Sequence, residues 1–255
     1  MTKNAIITGA SAGIGRACAH ILAENGYNLV LTGRRAERLD SACKEISEKY
    51  GVQTHALSFD IRNRNEVEQA AQDMQGIFEH VDVLVNNAGL AAGLDQLRNG
   101  NPDDWDQMID TNVKGLLYIS RQIIPWMFDS GSGHIVNIGS IAGKEVYPNG
   151  NVYCGTKHMV DALNKAMRRE LAEFNIRVSG IHPGAVETEF SIVRFKGDAD
   201  KAGKVYDGFE NLIAEDIADA VWYVVSRPTH VNINDLIIMP KAQPAAGVLH
   251  KGKGL

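Results

Sequence analysis

Short runs of apolar and β-branched residues alternate with longer amphipathic segments along the chain. Seven of these runs predict β-strands, at Ala5–Thr8, Asn28–Thr32, Thr54–Ser58, Val81–Val85, His134–Ile138, Arg177–Ile181 and Leu236–Met239. Between the runs, apolar residues recur at three- and four-residue spacing, as in Ile14, Cys18 and Ile21, which indicates helices with one buried face. Strands that alternate with helices form parallel sheets with helices on both sides. The pattern therefore predicts an α/β fold, a doubly wound sheet of seven parallel strands flanked by helices.

Two segments interrupt this alternation, residues 90–102 and residues 184–213, and each follows the end of a predicted strand. Ligands of open α/β sheets bind at the carboxyl ends of the strands, and long loops there carry substrate contacts or act as lids. We expect residues 184–213 to form a substrate loop, although both segments are also compatible with tolerated insertions. The end of the chain, about residues 245–255 and rich in Lys and Gly, is expected to be a mobile tail.

Composition restricts the classes of function. The 255 residues are 44% hydrophobic and 22% charged, which is typical of a soluble globular protein, and residues 1–255 are predicted to form a single domain. The net charge of -5 and the lack of a dense Lys/Arg block argue against nucleic acid as a partner.

The same features bear on location. The first predicted strand begins too early to leave room for an export signal, and no apolar run reaches the length of a membrane span. Cys18, Cys43 and Cys154 have no metal-like spacing, so reduced thiols are expected. Together these features favour a cytoplasmic protein without a metal site.

A glycine-rich segment follows the first predicted strand. Gly9, Gly13 and Gly15 lie between that strand and an amphipathic helix. In this position Gly9 and Gly13 allow backbone amides to approach a pyrophosphate, and Gly15 allows the helix to pack closely on the strand. A glycine cluster alone is also compatible with a plain tight turn. Because a strand precedes it and a helix follows it, the segment predicts a Rossmann-like dinucleotide site.

The end of the second predicted strand indicates which dinucleotide binds. An NAD site places Asp or Glu on the ribose 2′-hydroxyl about 20 residues beyond the glycines. This chain has Arg34 and Arg35 there, and no carboxylate between Gly26 and Ala36. Guanidinium groups bind a phosphate through paired charge-assisted hydrogen bonds, so the two arginines favour NADP. The alternative is a solvated pair at a helix start.

Tyr153 and Lys157 lie four residues apart in a helical pattern, so their side chains share one face. An ammonium beside a phenol favours the phenolate, which would let the tyrosine exchange a proton near neutral pH. Ser140 follows a predicted strand and could donate to a substrate oxygen. Tyr-x-x-x-Lys on its own is also common on surface helices. Further motifs remove that ambiguity.

The chain resembles the short-chain dehydrogenase/reductase family. The motifs that carry the resemblance occur in the family's order over nearly the whole chain, as follows: Thr8-Gly9-x-x-x-Gly13-x-Gly15, Asn86-Asn87-Ala88-Gly89, Asn112 within a helix, Ser140, Tyr153-x-x-x-Lys157 and Pro183-Gly184. The resemblance implies that Tyr153 transfers a proton to or from the substrate oxygen and that Ser140 polarises that oxygen. It also implies that Lys157 lowers the pKa of Tyr153 and holds the nicotinamide ribose, while Asn112 holds a water that links Lys157 to solvent.

The resemblance further implies a set of contacts to NADP. Asp60 and Ile61 would face the adenine, Asn87 would lie near the ribose, and Thr188 would fix the carboxamide. The full set of predicted cofactor residues is Gly9, Ser11, Gly13, Ile14, Gly15, Arg34, Arg35, Asp60, Ile61, Asn87, Tyr153, Lys157, Pro183, Gly184, Val186 and Thr188.

Two stretches are similar to a narrower group of the family, the NADP-dependent 3-hydroxy acid dehydrogenases. They are Glu189-Phe-Ser-Ile-Val-Arg-Phe-Lys-Gly-Asp198 and His230-Val-Asn-Ile233. The similarity implies a homotetramer that oxidises serine, allo-threonine, 3-hydroxypropionate and related short acids. Their carboxylate needs a cation, and Arg194 is the first candidate, with Lys196 as the other. An ion pair of Arg194 with Asp198 or another acid that fastens the loop is equally compatible.

Two other functions remain open at this point. The first is a broad NADPH-dependent carbonyl reductase acting on ketones, diketones or acyl thioesters. The second is a non-catalytic NADP-binding protein on a dehydrogenase fold, which the complete set of Asn112, Ser140, Tyr153 and Lys157 disfavours.

Overall fold

The structure is a computed structural model that describes residues 3–252. Its strands are β1 (Lys3–Ile7), β2 (Tyr27–Gly33), β3 (Thr54–Ser58), β4 (Val83–Asn86), β5 (Gly133–Ile138), β6 (Ile176–Pro183) and β7 (Asp235–Ile238). Its α-helices are α1 (Gly13–Glu24), α2 (Ala36–Tyr50), α3 (Arg64–Gln75), α4 (Pro102–Ile109), α5 (Leu116–Ser130), α6 (Asn151–Leu171), α7 (Phe190–Arg194), α8 (Ala199–Lys204) and α9 (Ala214–Val225).

The seven strands form one sheet in the order β3-β2-β1-β4-β5-β6-β7. Every strand pair is parallel, so the predicted doubly wound α/β fold is confirmed. The chain runs outward from β1 in one direction and returns to β4 on the other side of β1. A sheet of this kind opens a crevice where the direction reverses, at the carboxyl ends of β1 and β4.

The centres of the inner strands are mostly apolar because helices cover both faces of the sheet. Ala5, Ile6 and Ile7 of β1 are fully buried, yet they belong to two different clusters. Ala5 and Ile7 pack on the side of α1 and α9, and Ile6 packs on the side of α3 and α5. The sheet therefore has a hydrophobic core on each face, and its polar side chains collect at the strand ends.

Several predicted strand boundaries were wrong by one or two residues. A difference of two residues occurs at the start of β1, at the end of β6 and at the start of β4, which was predicted from Val81 and begins at Val83. Val81 is fully buried, so its apolar character reflects packing below the sheet rather than strand pairing. Asn86, which looked like the start of a loop, still pairs with Asn137 of β5. At the ends of this strand, the buried apolar residues are therefore not the same residues as those that pair with a neighbouring strand.

The segment between β4 and β5 also differs from the regular helix that was predicted around Asn112. Residues Asp110–Gly115 form a π-helical turn between α4 and α5. A π-helical turn holds one residue more than an α-helical turn, and such turns are frequent at functional sites. Asn112 is buried in the middle of it.

The end of the chain packs on loops near the carboxyl edge of the sheet. Ala246 N donates to Glu145 Oε2 at 2.8 Å, and Gly252 N donates to the Gly208 carbonyl at 3.2 Å. The last part of the predicted mobile tail, residues 253–255, lies outside the described residues, and the mobility stays a prediction. Across residues 3–252, no helix is both long and apolar enough to cross a membrane.

Candidate active site

A cavity of about 350 Å³ opens at the carboxyl ends of β1 and β4. It is lined by nearly all of the predicted cofactor residues, namely Gly9, Ser11, Gly13, Ile14, Arg34, Arg35, Asp60, Ile61, Asn87, Tyr153, Lys157, Pro183, Gly184, Val186 and Thr188. Ser140 lines it as well. Gly15, Asn112 and Arg194 are not part of the lining. The fold therefore gathers residues from the whole chain around one crevice.

The glycine turn after β1 leaves no space for a side chain at Gly9 or Gly15. Gly9 has φ +66°, and a Cβ there would lie 2.9 Å from Ala88 Cα. A Cβ on Gly15 would lie 2.5 Å from the Gly9 carbonyl oxygen, which explains why Gly15 sits below the cavity rather than in its wall. The Asn87 amide donates to the carbonyls of Thr8 and Gly9 at 2.9 and 3.1 Å and ties β4 to this turn. The cradle fits a pyrophosphate that approaches the backbone.

Arg35 points towards the glycine turn. Its Nη2 donates to Ser11 Oγ at 2.9 Å, and its Nη1 donates to Glu189 Oε2 at 2.8 Å. Arg38 donates to the other oxygen of the same carboxylate at 2.7 Å. Hydrogen bonds from these two arginines lower the pKa of Glu189 below its usual value. Arg35 and Arg38 are thus paired with a carboxylate at the cavity, and a 2′-phosphate that binds Arg35 would compete with Glu189 for it.

The other side of the adenine end is built by Asp60 and Ile61. Asp60 accepts from the Arg62 guanidinium, with Nη2 to Oδ2 at 2.6 Å, and this bond lowers the pKa of the carboxyl. Ile61 packs against Gly115 of the π-helical turn, where a Cβ would lie 2.8 Å from its Cγ2. Both residues are therefore held in place by neighbouring loops.

Tyr153 and Lys157 lie on the first turns of α6, and both are buried. Lys157 Nζ donates to the Ile138 carbonyl at the end of β5, at 2.9 Å. Ser140 follows two residues later and accepts from Ala142 N at 3.1 Å, capping a short 3₁₀ turn. The predicted trio is thus assembled by the contact of α6 with the end of β5.

The phenol of Tyr153 is set between opposing influences. Burial raises its pKa above the usual value, and so does the neighbouring Tyr147, whereas the Arg194 charge and a hydrogen bond with Ser140 lower it. The cation beside the Tyr153 ring is Arg194, with Cζ 5.0 Å from the ring centroid. The lowering of this pKa by Lys157, which the family resemblance implies, stays a prediction.

Burial lowers the pKa of the Lys157 ammonium to about 8, from its ordinary 10.5. The folded state thus disfavours the charge that the unfolded chain carries, and below about pH 8 this difference opposes folding in full. The opposition fades as pH rises towards 10.5, where the unfolded chain also loses the proton. The active-site lysine is therefore a source of instability near neutral pH.

A Lys157→Met variant is expected to be more stable than the wild type without cofactor at pH 7. Methionine keeps the volume and removes the buried charge, so we expect a gain of about 1 to 3 kcal/mol in the free energy of unfolding. Denaturant unfolding at pH 7 and at pH 9.5 measures this gain, which should shrink at the higher pH. Lys44→Met, at an exposed helix position, is the matched control. Equal stability of Lys157→Met and wild type at pH 7 would contradict the prediction.

Asn112 joins the π-helical turn to two other segments. Its Nδ2 donates to the Leu90 carbonyl at 2.8 Å and to Thr156 Oγ1 at 3.1 Å, and its Oδ1 accepts from Leu90 N at 2.8 Å. Gly89 leaves a gap here, since a Cβ would lie 3.2 Å from Asn112 Oδ1 and 3.6 Å from Lys157 Nζ. Asn112 thus fixes the loop after β4, and Gly89 lies close to both Asn112 and Lys157.

The segment after β6 folds over the same region. Thr188 lies against Gly13, where a Cβ would be 3.4 Å from the threonine side chain. Phe190, the first residue of α7, packs edge-on against the Tyr153 ring with 5.6 Å between centroids. These contacts bring the predicted substrate loop to both ends of the cavity.

The two candidate cations of this loop have different surroundings. Lys196 Nζ lies 2.9 Å from Asp104 Oδ1 and is occupied by that carboxylate. Asp198 pairs with Lys201 at 3.2 Å, and within residues 3–252 no ion pair joins it to Arg194. Arg194 Nη2 donates to the Tyr147 hydroxyl at 2.7 Å. Of the two candidate cations, Arg194 is therefore the one that lies against Tyr153 and has no carboxylate partner in the described part of the chain.

A charged cluster behind α6 was not visible in the sequence. His182 lies 3.0 Å from Asp235 Oδ1 and 3.9 Å from Asp161 Oδ1, so these three residues form a group that could in principle ligate a metal ion. Lys144 Nζ, however, lies 2.7 Å from Asp161 and 3.2 Å from Asp235 and forms an ion pair with each carboxylate. The cluster joins α6 to the end of β6 and the start of β7.

Sequence reasoning missed three residues at the site. Tyr147 contacts Arg194, Phe190 contacts Tyr153, and Glu189 bridges Arg35 and Arg38. Glu189 and Phe190 lie in the stretch that is similar to the 3-hydroxy acid dehydrogenases, but no role followed for them from that similarity. Tyr147 lies in a loop outside the recognised motifs, and its position between Ser140 and Tyr153 was the signal that could have pointed to it.

Comparison with known families identifies the chain's relatives. The family model described as short chain dehydrogenase matches residues 3–198, well over half of the chain. An NADP-dependent 3-hydroxy acid dehydrogenase of Salmonella typhi is 46% identical over 244 residues, which cover 95% of this chain and 97% of the relative. One of the same description from Schizosaccharomyces pombe is 38% identical over 250 residues, covering 98% and 96%.

A solved structure is similar over the same extent. It is the closed form of a serine dehydrogenase complexed with NADP⁺, and it superimposes with a TM-score of 0.90 at 41% identity. The alignment covers 98% of this chain and all of that one. The likeness therefore extends over nearly the whole chain.

Proposed function

The chain belongs to the short-chain dehydrogenase family and is an NADP-dependent oxidoreductase, and from this premise we propose that it acts on small 3-hydroxy acids. It would transfer a hydride between NADP and the hydroxyl carbon of an acid such as serine, allo-threonine or 3-hydroxypropionate. The observation that carries the proposal is the Arg194 guanidinium 5.0 Å from the Tyr153 ring. The names of the relatives from Salmonella typhi and Schizosaccharomyces pombe support it.

When the alcohol is oxidised in the proposed reaction, its hydroxyl proton goes to the protein and the hydride on its hydroxyl carbon goes to NADP. Bound NADP supplies the hydride acceptor at its nicotinamide ring. Tyr153 accepts the hydroxyl proton as phenolate when the alcohol is oxidised, and its phenol returns a proton when the carbonyl is reduced. Ser140 donates to the same oxygen and holds it towards Tyr153. Lys157 and Asn112 would position the ribose and a water that connects the ammonium to solvent.

The substrate carboxylate would bind Arg194. A 3-hydroxy acid has two carbon–carbon bonds between its hydroxyl carbon and its carboxylate, so its two oxygen groups are separated by about 4 to 5 Å. A short acid whose hydroxyl lies at Tyr153 would therefore place its carboxylate near the Arg194 guanidinium, which lies beside the Tyr153 ring. A forked guanidinium binds a carboxylate at two points, which also selects the face of the alcohol carbon that meets the cofactor.

The broad carbonyl reductase is the competing function, and apolar residues favour it. Leu90, Phe190 and Val193 line the cavity and would also accept an uncharged ketone. A substrate panel with NADP or NADPH distinguishes the two functions. We expect the wild type to oxidise 3-hydroxypropionate and L-serine with at least tenfold higher kcat/KM than methyl 3-hydroxypropionate, which masks the carboxylate. Turnover of the ester and of uncharged ketones without turnover of the acids would overturn the proposal.

Cofactor preference is tested by Arg34→Ala and Arg35→Ala. Each variant is expected to raise the Kd for NADPH by roughly 10- to 100-fold, because it removes charge-assisted hydrogen bonds to the 2′-phosphate. The Kd for NADH, which lacks that phosphate, should change less than about twofold. Fluorescence titration measures both. Arg64→Ala removes the same charge on exposed α3 and should change neither. Equal losses for NADPH and NADH would show that the arginines do not reach the phosphate.

Assembly and location complete the proposal. A homotetramer in the cytoplasm is what the resemblance and the composition predict, and both stay predictions.

A further inference from the structure

Tyr147 lies in the loop between the 3₁₀ turn after Ser140 and the start of α6 at Asn151. Its hydroxyl oxygen accepts a hydrogen bond from Arg194 Nη2 at 2.7 Å. A phenol has one proton to donate besides accepting, and in the described chain the hydroxyl of Tyr147 has no acceptor for that proton. The side chain therefore presents a free donor next to a guanidinium.

Arg194 itself is largely unused as a donor. Within residues 3–252, Nη2 is the guanidinium nitrogen with a protein partner, while Nε is buried without one. Its Cζ lies 5.0, 5.4 and 5.9 Å from the ring centroids of Tyr153, Phe190 and Tyr147. Aromatic rings hold a guanidinium by its charge but do not satisfy its N–H groups as an oxygen does. The arrangement is one in which an anion with two oxygens would fit.

Two segments pack closely against Tyr147, the start of α6 and the C-terminal segment around Gly247. A Cβ on Gly150 would clash with the edge of the Tyr147 ring, and a Cβ on Gly247, which has φ +72°, would lie 2.8 Å from Tyr147 Cβ. Ala246 adds a hydrogen bond to Glu145, two residues before Tyr147. The C-terminal segment and the start of α6 thus close on the ring together, so little side-chain freedom remains to be lost when a ligand binds.

We propose that Tyr147 is a substrate-recognition residue whose hydroxyl donates to the substrate carboxylate held by Arg194. The inference rests on the proposed function and names the second contact of the same anion. One carboxylate oxygen would accept from Arg194 and the other from the Tyr147 hydroxyl. The tyrosine would also keep the guanidinium turned towards the substrate through the 2.7 Å bond that it already accepts.

Tyr147→Phe tests this assignment because it keeps the ring and its packing and removes only the hydroxyl. We expect kcat/KM for 3-hydroxypropionate to fall by roughly tenfold, mainly through KM, since one hydrogen bond to a charged group is lost. For methyl 3-hydroxypropionate the change should stay below about twofold. The inhibition constant of propionate, which has no hydroxyl to oxidise, should rise by a similar factor of roughly ten.

Tyr206→Phe is the matched control. The Tyr206 hydroxyl accepts from Ser191 Oγ at 2.7 Å and donates to the Val186 carbonyl at 3.0 Å, so it supports the same loop without a free donor. Its loss should affect acid and ester alike. The same uniform loss in Tyr147→Phe, or an unchanged inhibition constant for propionate, would overturn the recognition role and leave Tyr147 as a loop support.

Failure of the proposed function is recognised separately. It appears in the wild type as a lack of turnover of the acids, before any variant is made. If the acids are substrates and Arg194→Ala loses them while Tyr147→Phe does not, the proposed function stands and the assignment of Tyr147 falls.

Discussion

Replacing Tyr153 by Phe is expected to lower kcat for alcohol oxidation by roughly 10³- to 10⁴-fold while NADPH binding and the fold stay intact. Phenylalanine keeps the buried ring and its contact with Phe190 and removes only the group that exchanges the proton. Steady-state kinetics, fluorescence titration of NADPH and circular dichroism measure the three properties. Tyr223→Phe, at an exposed position of α9, is the control. A Tyr153→Phe variant with more than about a tenth of the wild-type rate would displace Tyr153 from its role.

The pH dependence of the same step provides a second check on Tyr153. Because burial raises the pKa of this phenol, the phenolate that accepts a proton is the minor form at neutral pH. Below that pKa the phenolate fraction grows tenfold for each pH unit, so alcohol oxidation should accelerate as pH rises from 7 to 9. The residual activity of Tyr153→Phe should lack this rise.

Replacing Arg194 by Ala is expected to lower kcat/KM for 3-hydroxypropionate by roughly 2 to 3 kcal/mol, or about 30- to 150-fold. The lost interaction is a charge-assisted contact to the carboxylate, so methyl 3-hydroxypropionate should lose little. Initial rates with both substrates measure the difference. Lys196→Ala removes a cation from the same loop that already pairs with Asp104, and it should leave the preference for the acid unchanged. Equal losses for acid and ester in Arg194→Ala would make Arg194 a loop fastener.

Most of the cofactor site was predictable because its motifs are local. A tight turn between a strand and a helix is indicated by Gly9, Gly13 and Gly15. A shared helical face is indicated by the four-residue spacing of Tyr153 and Lys157. Parallel strands bring their carboxyl ends to one edge, so residues that follow strands meet there even when they are far apart in the chain. For this reason Ser140, Pro183 and Thr188 were found together although no contact between them could be seen in advance.

What escaped prediction depends on long-range contacts between loops. Glu189 meets Arg35 across 154 residues, and Tyr147 meets Arg194 across 47. His182 gave no metal-like spacing, yet Asp161 and Asp235 approach it in space, with Lys144 between them. Hydrophobic periodicity carries no information on such pairs, because it indicates which face of an element is buried and not which polar side chains of distant elements meet.

The choice between Arg194 and Lys196 illustrates the same limit. Both are cations in one short loop, and their order in the sequence does not say which carboxylate each meets. The preference for Arg194 comes from Asp104 on α4, which pairs with Lys196 from a different part of the chain.

The π-helical turn at Asp110–Gly115 accommodates an extra residue between α4 and α5 without ending the helical path of the chain. Because it holds one residue more than an α-helical turn, loss of a single residue there would restore a continuous helix and leave α4 and α5 able to pack as before. Asn112 would then no longer face Leu90 and Thr156. In evolutionary terms, a one-residue insertion inside an existing helix, absorbed locally, is enough to turn a structural element into one that serves the active site.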